Sequence, residues 1–181
     1  NIENVIVDGR AVGAAPGIAK LHRYKSSNFG RHSIVADHGH GSRAVPVTDL
    51  DGALTGLGFG ERPVSLVKID VEGYEPAVIA GARQTLRRTD AVILEYSPEL
   101  SRAGGLSTED MFADLTAMGF APFVLRAAGG VSKIDPDELR KLQGSLDVIW
   151  ARVSRLPALA PGMSEWPRDG LSLQDIAEQN K

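Results

Sequence analysis

Pro63-Val64-Ser65-Leu66-Val67-Lys68-Ile69-Asp70-Val71-Glu72-Gly73-Tyr74-Glu75-Pro76 is the stretch whose reading decides the fold. Residues 64–69 are a short run rich in β-branched side chains, long enough for a strand and too short for a helix, so the expectation is a strand buried on both faces. It ends in acid. After two carboxylates and a glycine, Pro76 suits the first turn of a helix continuing through residues 77–86 to Arg88. Ligands in open α/β sheets bind beyond the carboxyl ends of the strands, which puts Asp70 and Glu72 where chemistry is expected.

Toward the carboxyl end the pattern repeats. Residues 91–96 read as a second buried strand that again stops at an acid, Glu95. Ser107 is an N-cap, and Asp110 a weak capping-box acid, for a helix carrying Met111, Leu115 and Met118 until Gly119 closes it. Residues 123–126 and 146–151 read as two closing strands, separated by Gly129-Gly130 and a polar segment over 135–143, and able to pair as a hairpin. A proline-rich tail follows over 157–167, then a short helix over 171–179 capped by Ser172. Toward the amino end, Asn4-Val5-Ile6-Val7 reads as a first strand, with a turn at Pro16-Gly17 and a half-exposed antiparallel strand over 18–24. Residues 26–32 and 37–42 read as loops, Pro46 demotes residues 44–47 to an edge or end strand, and residues 49–54 suit one helical turn. Buried strands alternating with helices predict a mostly parallel α/β sheet with helices on its faces and an antiparallel edge hairpin. The domain spans residues 1–153, and residues 154–181 form an irregular tail.

Composition sets the outer bounds. A chain of 181 residues suits one domain with its own core. With no cysteine, disulfides and thiolate metal sites are excluded, and the cytosol is the expected compartment. The net charge of −3 with scattered basic residues offers no nucleic-acid footprint, and the apolar runs are strand-sized rather than membrane-spanning.

At residues 68–75, with Gly81-Ala82 one helix further on, the sequence resembles the FkbM-type family of S-adenosylmethionine-dependent methyltransferases. Asn4-Val5 with Ala11-Val12-Gly13 resembles that family's third strand and exit, and Ser27-Asn28-Phe29-Gly30 its Asn-x-Gly loop. Val47-Thr48-Asp49-Leu50-Asp51 resembles its Leu-Asp element, and Ile93-Leu94-Glu95 its acid-ended fifth strand. The motifs cover roughly residues 1–120, and a strand pattern continues to 152. The resemblance implies a Rossmann-like class I methyltransferase sheet, S-adenosylmethionine as cofactor, and O-methylation of a hydroxyl on a small metabolite, sugar or polyketide. It also implies that Asn28 lines the cofactor pocket. The family's glycine-rich cofactor loop and its first two strands have no counterpart here, so the expectation is the carboxyl-terminal part of a longer enzyme; a sheet lacking two strands would present a raw apolar edge.

Asp70 is expected to position acceptor or cofactor, and Glu72 to assist as base or orienter, since O-methylation needs a group within reach of the hydroxyl proton. The competing reading of both is that they cap the following helix, whose amino end favours anions. Glu75 reads as a helix-start charge. Paired acids with Glu95 could hold a divalent ion, and Asp37-His38-Gly39-His40 could chelate, but neither has a complete ligand set and no metal is expected. His32 or His38 as general base is a minority option. The glycines at 56, 58 and 60 imitate a nucleotide loop in the wrong context, before Pro63 and a strand. Trp150 reads as core. The rival functional class is a non-catalytic binding or assembly domain derived from the same fold; a nucleotide-dependent oxidoreductase would need a dinucleotide fingerprint that the chain lacks.

Overall fold

The computed structural model describes residues 3–25, 28–125 and 131–155. The proline-rich tail, the helix over 171–179 with its Ser172 cap, Trp166, and the loop residues 26–27 and 126–130 lie outside the described residues.

Two sheets form where one was expected. Ala11–Val12 (β1), Gly17–His22 (β2) and Ser42–Thr48 (β3) make a small sheet in the order β1-β3-β2, with β1 parallel and β2 antiparallel to β3. The expected strand at residues 4–7 does not form; no strand runs beside it among the described residues, and Val5, Ile6 and Val7 are exposed. A strand without a partner leaves its backbone donors and acceptors to water. Pro46 sits in the central strand, not at an edge. The placement is tolerated because β1 reaches only Val47 and Thr48, so nothing pairs with Pro46 on that side.

Asp49 then caps a helix, Leu50–Gly56 (α1), by accepting from the Gly52 amide at 2.6 Å. The glycine-rich segment after it connects α1 to the strand Val64–Ile69 (β4) and opens no helix. The helix expected over 76–88 is broken in two, Glu75–Ala80 (α2) and Arg83–Arg87 (α3). The break lies at a close backbone approach: a Cβ on Gly81 would overlap the Gly13 carbonyl oxygen, and the Gly81 carbonyl accepts from the Asp51 amide at 3.1 Å. Asp51 restarts the chain by accepting from the Gln84 and Thr85 amides at 2.9 and 2.7 Å. Thr89–Tyr96 (β5), Pro98–Ala103 (α4) and Thr108–Ala117 (α5) follow, the last capped by Ser107 and closed at Gly119. Then come Phe120–Leu125 (β6), Val131–Lys133 (β7), Pro136–Leu139 (α6) and Leu146–Arg152 (β8). Of these, α4, β7 and α6 have no clear periodic signature in the sequence.

The larger sheet has the order β4-β5-β8-β6-β7. Only the β4–β5 pair is parallel; β8 lies reversed between β5 and β6, and β6 pairs β7 antiparallel. The sheet is therefore mixed rather than mostly parallel; the two closing strands, β6 and β8, do pair antiparallel as expected, but inside the sheet and not at its edge, because β7 and α6 intervene and β8 fills the gap beside β5. Helices α2, α3 and α5 cover one face, where Val78, Ile79, Leu86, Phe112 and Leu115 pack on Val92, Leu94, Val124 and the fully buried Trp150. The opposite face carries only a small cluster of Ala91, Phe123 and Ala151. No strand lies outside β4 among the described residues, and Leu66 is 52% exposed, so β4 is an edge strand and not one buried on both faces.

Candidate active site

Past Ile69 the chain leaves the sheet through a tight acidic turn. Glu75, read from sequence as a helix-start charge, does open α2 but is 1% exposed and lies under that turn. Its Oε1 accepts from the Val71 and Gly73 amides at 3.2 and 3.1 Å, while its Oε2 is buried without a hydrogen-bond partner. Burial pushes its carboxyl above the ordinary range, partly offset by the bonds from Gly73 and Val71. The turn is held from the other side by Ser33, whose hydroxyl donates to the Glu72 carbonyl at 2.8 Å and accepts from the Val35 and Ala36 amides. Glu72 takes φ +53, the left-handed region that side-chain-bearing residues rarely adopt. Gly73 beside it has φ +96, and a Cβ there would lie 2.6 Å from Leu100 Cβ. Backbone held in that region costs of order 1–3 kcal/mol and persists where the surroundings over-determine it.

The turn aims Glu72 into a hollow of about 490 Å³ at the carboxyl rim of β4 and β5. Arg31, Glu95, Ser97, Glu99, Gly144 and Ser145 share the lining with it and Leu100. Glu72 has only 13% of its side chain exposed and faces the Arg31 guanidinium, Nε to Oε1, at 3.5 Å. Arg31 itself lies over the Tyr24 ring, 4.9 Å from its centre, and His38 packs edge-on against the same ring at 4.8 Å. Glu95 Oε2 is buried without a hydrogen-bond partner, as is the hydroxyl of Ser97, a residue 3% exposed. Burial first, then the charges of Glu72 and Asp70, pushes the Glu95 carboxyl up, with Ser145 holding it back in part. Across the sheet Glu95 stands directly opposite Asp147 of β8. Like charges so placed are destabilising in an ordinary sheet.

The structure separates the two acids that the sequence put together. Glu72 lines the hollow; Asp70 stays at the outer lip, about half exposed and bonded to Lys68 Nζ at 2.6 Å. Asn28 is not part of the lining. It caps the short 3-10 turn Phe29–Arg31, its side chain accepting from the Gly30 amide at 3.2 Å, and so helps hold Arg31 toward Glu72. His32 Nδ1 accepts from the Tyr24 amide, and His22 lies 3.3 Å from Asp37, so these imidazoles serve the small sheet and its loops. Among the described residues no group of three or more His, Asp or Glu side chains is arranged to hold a metal ion. Glu95 was legible as an acid-ended strand, but Arg31, Ser97, Glu99 and Ser145 carried no spacing signal. Ser97 and Glu99 follow Glu95 directly in the chain, whereas Arg31 and Ser145 reach it on loops from distant parts.

The model of the methyltransferase FkbM domain matches residues 4–122, from the segment before β1 to the start of β6. The chain belongs to the FkbM methyltransferase family. No curated protein and no solved structure gives a match. The matched span holds every element that shapes the acidic turn and all of the hollow's lining except Gly144 and Ser145, which this FkbM chain draws from the loop before β8. No helix among its described residues is long and apolar enough to cross a membrane.

Proposed function

We propose that the hollow is where this FkbM-family chain methylates a hydroxyl of a small-molecule acceptor, with S-adenosylmethionine as the donor. The observation that carries the reading is the convergence of Glu72 and Glu95 on one concave site, beside a buried serine hydroxyl that has no partner. The acidic lining suits a cofactor that carries a sulfonium and an ammonium group, because carboxylates in a concave site draw in cations. When bound, S-adenosylmethionine supplies an electrophilic methyl group.

The chain's own residues do the rest. Glu95, whose proton affinity is raised by burial and by the charges of Glu72 and Asp70, is suited as its carboxylate to take the hydroxyl proton as the acceptor oxygen attacks the methyl group. Glu72 faces the Arg31 guanidinium and orients the acceptor, while Glu95 takes the proton. Asp70 acts from the lip through its charge. Asn28 acts on the site through Arg31, by holding the turn that presents the guanidinium.

The test is transfer of labelled methyl from S-adenosylmethionine to a panel of hydroxylated acceptors by the full-length protein. Glu95→Gln and Glu72→Gln should each lower kcat/KM by about 10²-fold or more with an unchanged Tm, whereas Asp70→Asn should cost less than tenfold. Near-normal turnover in a folded Glu95→Gln protein would remove Glu95 as the base. Tight acceptor binding with no transfer under any condition would favour the non-catalytic binding domain.

A further inference from the structure

The charge balance of the hollow is lopsided. Among the described residues three carboxylates, Glu72, Glu95 and Glu99, line it against one guanidinium, Arg31. Arg31 is engaged by Glu72, and Glu99, exposed at the start of α4, forms no ion pair among the described residues. The rim around them deepens the imbalance. Asp147 faces Glu95 across β5 and β8, and Asp70 stands one residue beyond the Ile69–Leu94 pairing in the same row, with only Lys68 in opposition. A helix-start charge explains Glu99 alone. It does not explain a row of acids beside a Glu95 oxygen and a Ser97 hydroxyl that are both buried without partners. Uncompensated carboxylates in a concave site raise the local concentration of cations, and unpaired buried polar groups are satisfied by a ligand that supplies hydrogen bonds.

We propose that the acceptor is a hydroxylated primary amine of monosaccharide size, bound as its ammonium ion. This rests on the methyltransferase reading of the same hollow and names its substrate class. The ammonium pairs with Glu99 at the mouth, the Ser97 and Ser145 hydroxyls bond neighbouring hydroxyls of the acceptor, and the hydroxyl to be methylated faces Glu95. Among the described residues the lining has no aromatic platform and Leu100 is its one apolar side chain, which suits a polar, ring-sized polyol better than an extended apolar chain. A neutral N-acylated analogue would leave Glu99 without a counter-charge and gain nothing from the acidic rim.

The experiment uses the full-length protein with glucosamine, galactosamine and mannosamine, each beside its N-acetyl counterpart. Binding is read by saturation-transfer NMR, and methyl transfer at saturating S-adenosylmethionine. The expected result is binding of at least one free amine and little of the N-acetyl forms. Glu99→Gln should raise KM for that amine by about fivefold, the scale of one exposed ion pair, with kcat unchanged and no change for N-acetyl compounds. Equal use of amine and N-acetyl forms would overturn the proposal while leaving methyl transfer intact; it would assign the excess charge to the cationic donor alone. Glu99-dependent amine binding without any methyl transfer would sustain the amine site and overturn the catalytic reading. Absence of binding by all three amines would overturn the amine site.

Discussion

At the scale of single residues, the site depends on carboxylates doing different work in nearly the same place. Glu75 opens its helix as the sequence reading has it, but nothing in that reading shows its burial. It is in fact the internal brace of the acidic turn, with one oxygen on two amides and the other unsatisfied. Its carboxyl is raised by burial above the ordinary value of 4.5. A group raised in the folded protein contributes stability that is complete below the unfolded-chain value and lost as pH climbs through the folded one. Glu75→Gln keeps the accepting oxygen and cannot ionise. Its Tm relative to wild type should therefore move in the variant's favour as pH is raised from about 4 to about 7, followed by calorimetry. A constant difference across that range would mean that Glu75 is not raised in the folded state.

At the scale of elements, the decisive event is where the helix after the acidic turn stops. Residues 77–86 read as one continuous helix, small or apolar through Ala82 and polar over 83–85, and helical propensity has no objection to Gly81-Ala82 beyond the usual glycine cost. The break comes from the small sheet, whose chain leaves β1 at Gly13 and runs against Gly81 with no room for a side chain. Gly81→Ala should destabilise the protein by about 3 kcal/mol, visible in denaturant unfolding, because the clash is with backbone and cannot relax by a rotamer change. If Gly81→Ala melts like wild type, the two chains are not in contact there. Pro46 teaches the same lesson in reverse. Its strand is central by order, yet locally unpaired on one side because β1 is only two residues long.

At the scale of the whole molecule, Arg152 shows how the carboxyl-terminal strand fastens the helical layer. Its guanidinium donates to the Thr89 carbonyl at 2.9 Å, to the Leu86 and Arg87 carbonyls that end α3, and to the Met118 carbonyl that ends α5, and it lies 4.6 Å from the centre of the Phe120 ring. Truncation in Arg152→Ala strands several partly buried carbonyls at once and should cost about 3 kcal/mol of stability, with a fall in Tm and no loss of amine binding in the distant hollow. A fall in binding larger than the fall in folded fraction would tie the two ends of the sheet together. The open edge of β4 and the thinly covered face behind it are likewise properties of the assembled sheet; the strand by itself looked fit for burial on both sides.

The sequence by itself determined the elements whose physics is local. The apolar run of β4 starts and stops where its residues change character, Asp49 and Ser107 cap their helices, Gly119 ends α5, and the acid-ended strands place Glu72 and Glu95 at a sheet rim. The family was also legible there, in the string around Asp70 and Glu72, and the domain match over residues 4–122 agrees. Only the tertiary structure decided that Glu72 turns inward while Asp70 stays at the lip, that Glu75 is buried, and that Arg31 and Ser145 meet beside Glu95. Strand order and the convergence of loops depend on contacts between residues far apart in the chain, and no local spacing encodes them.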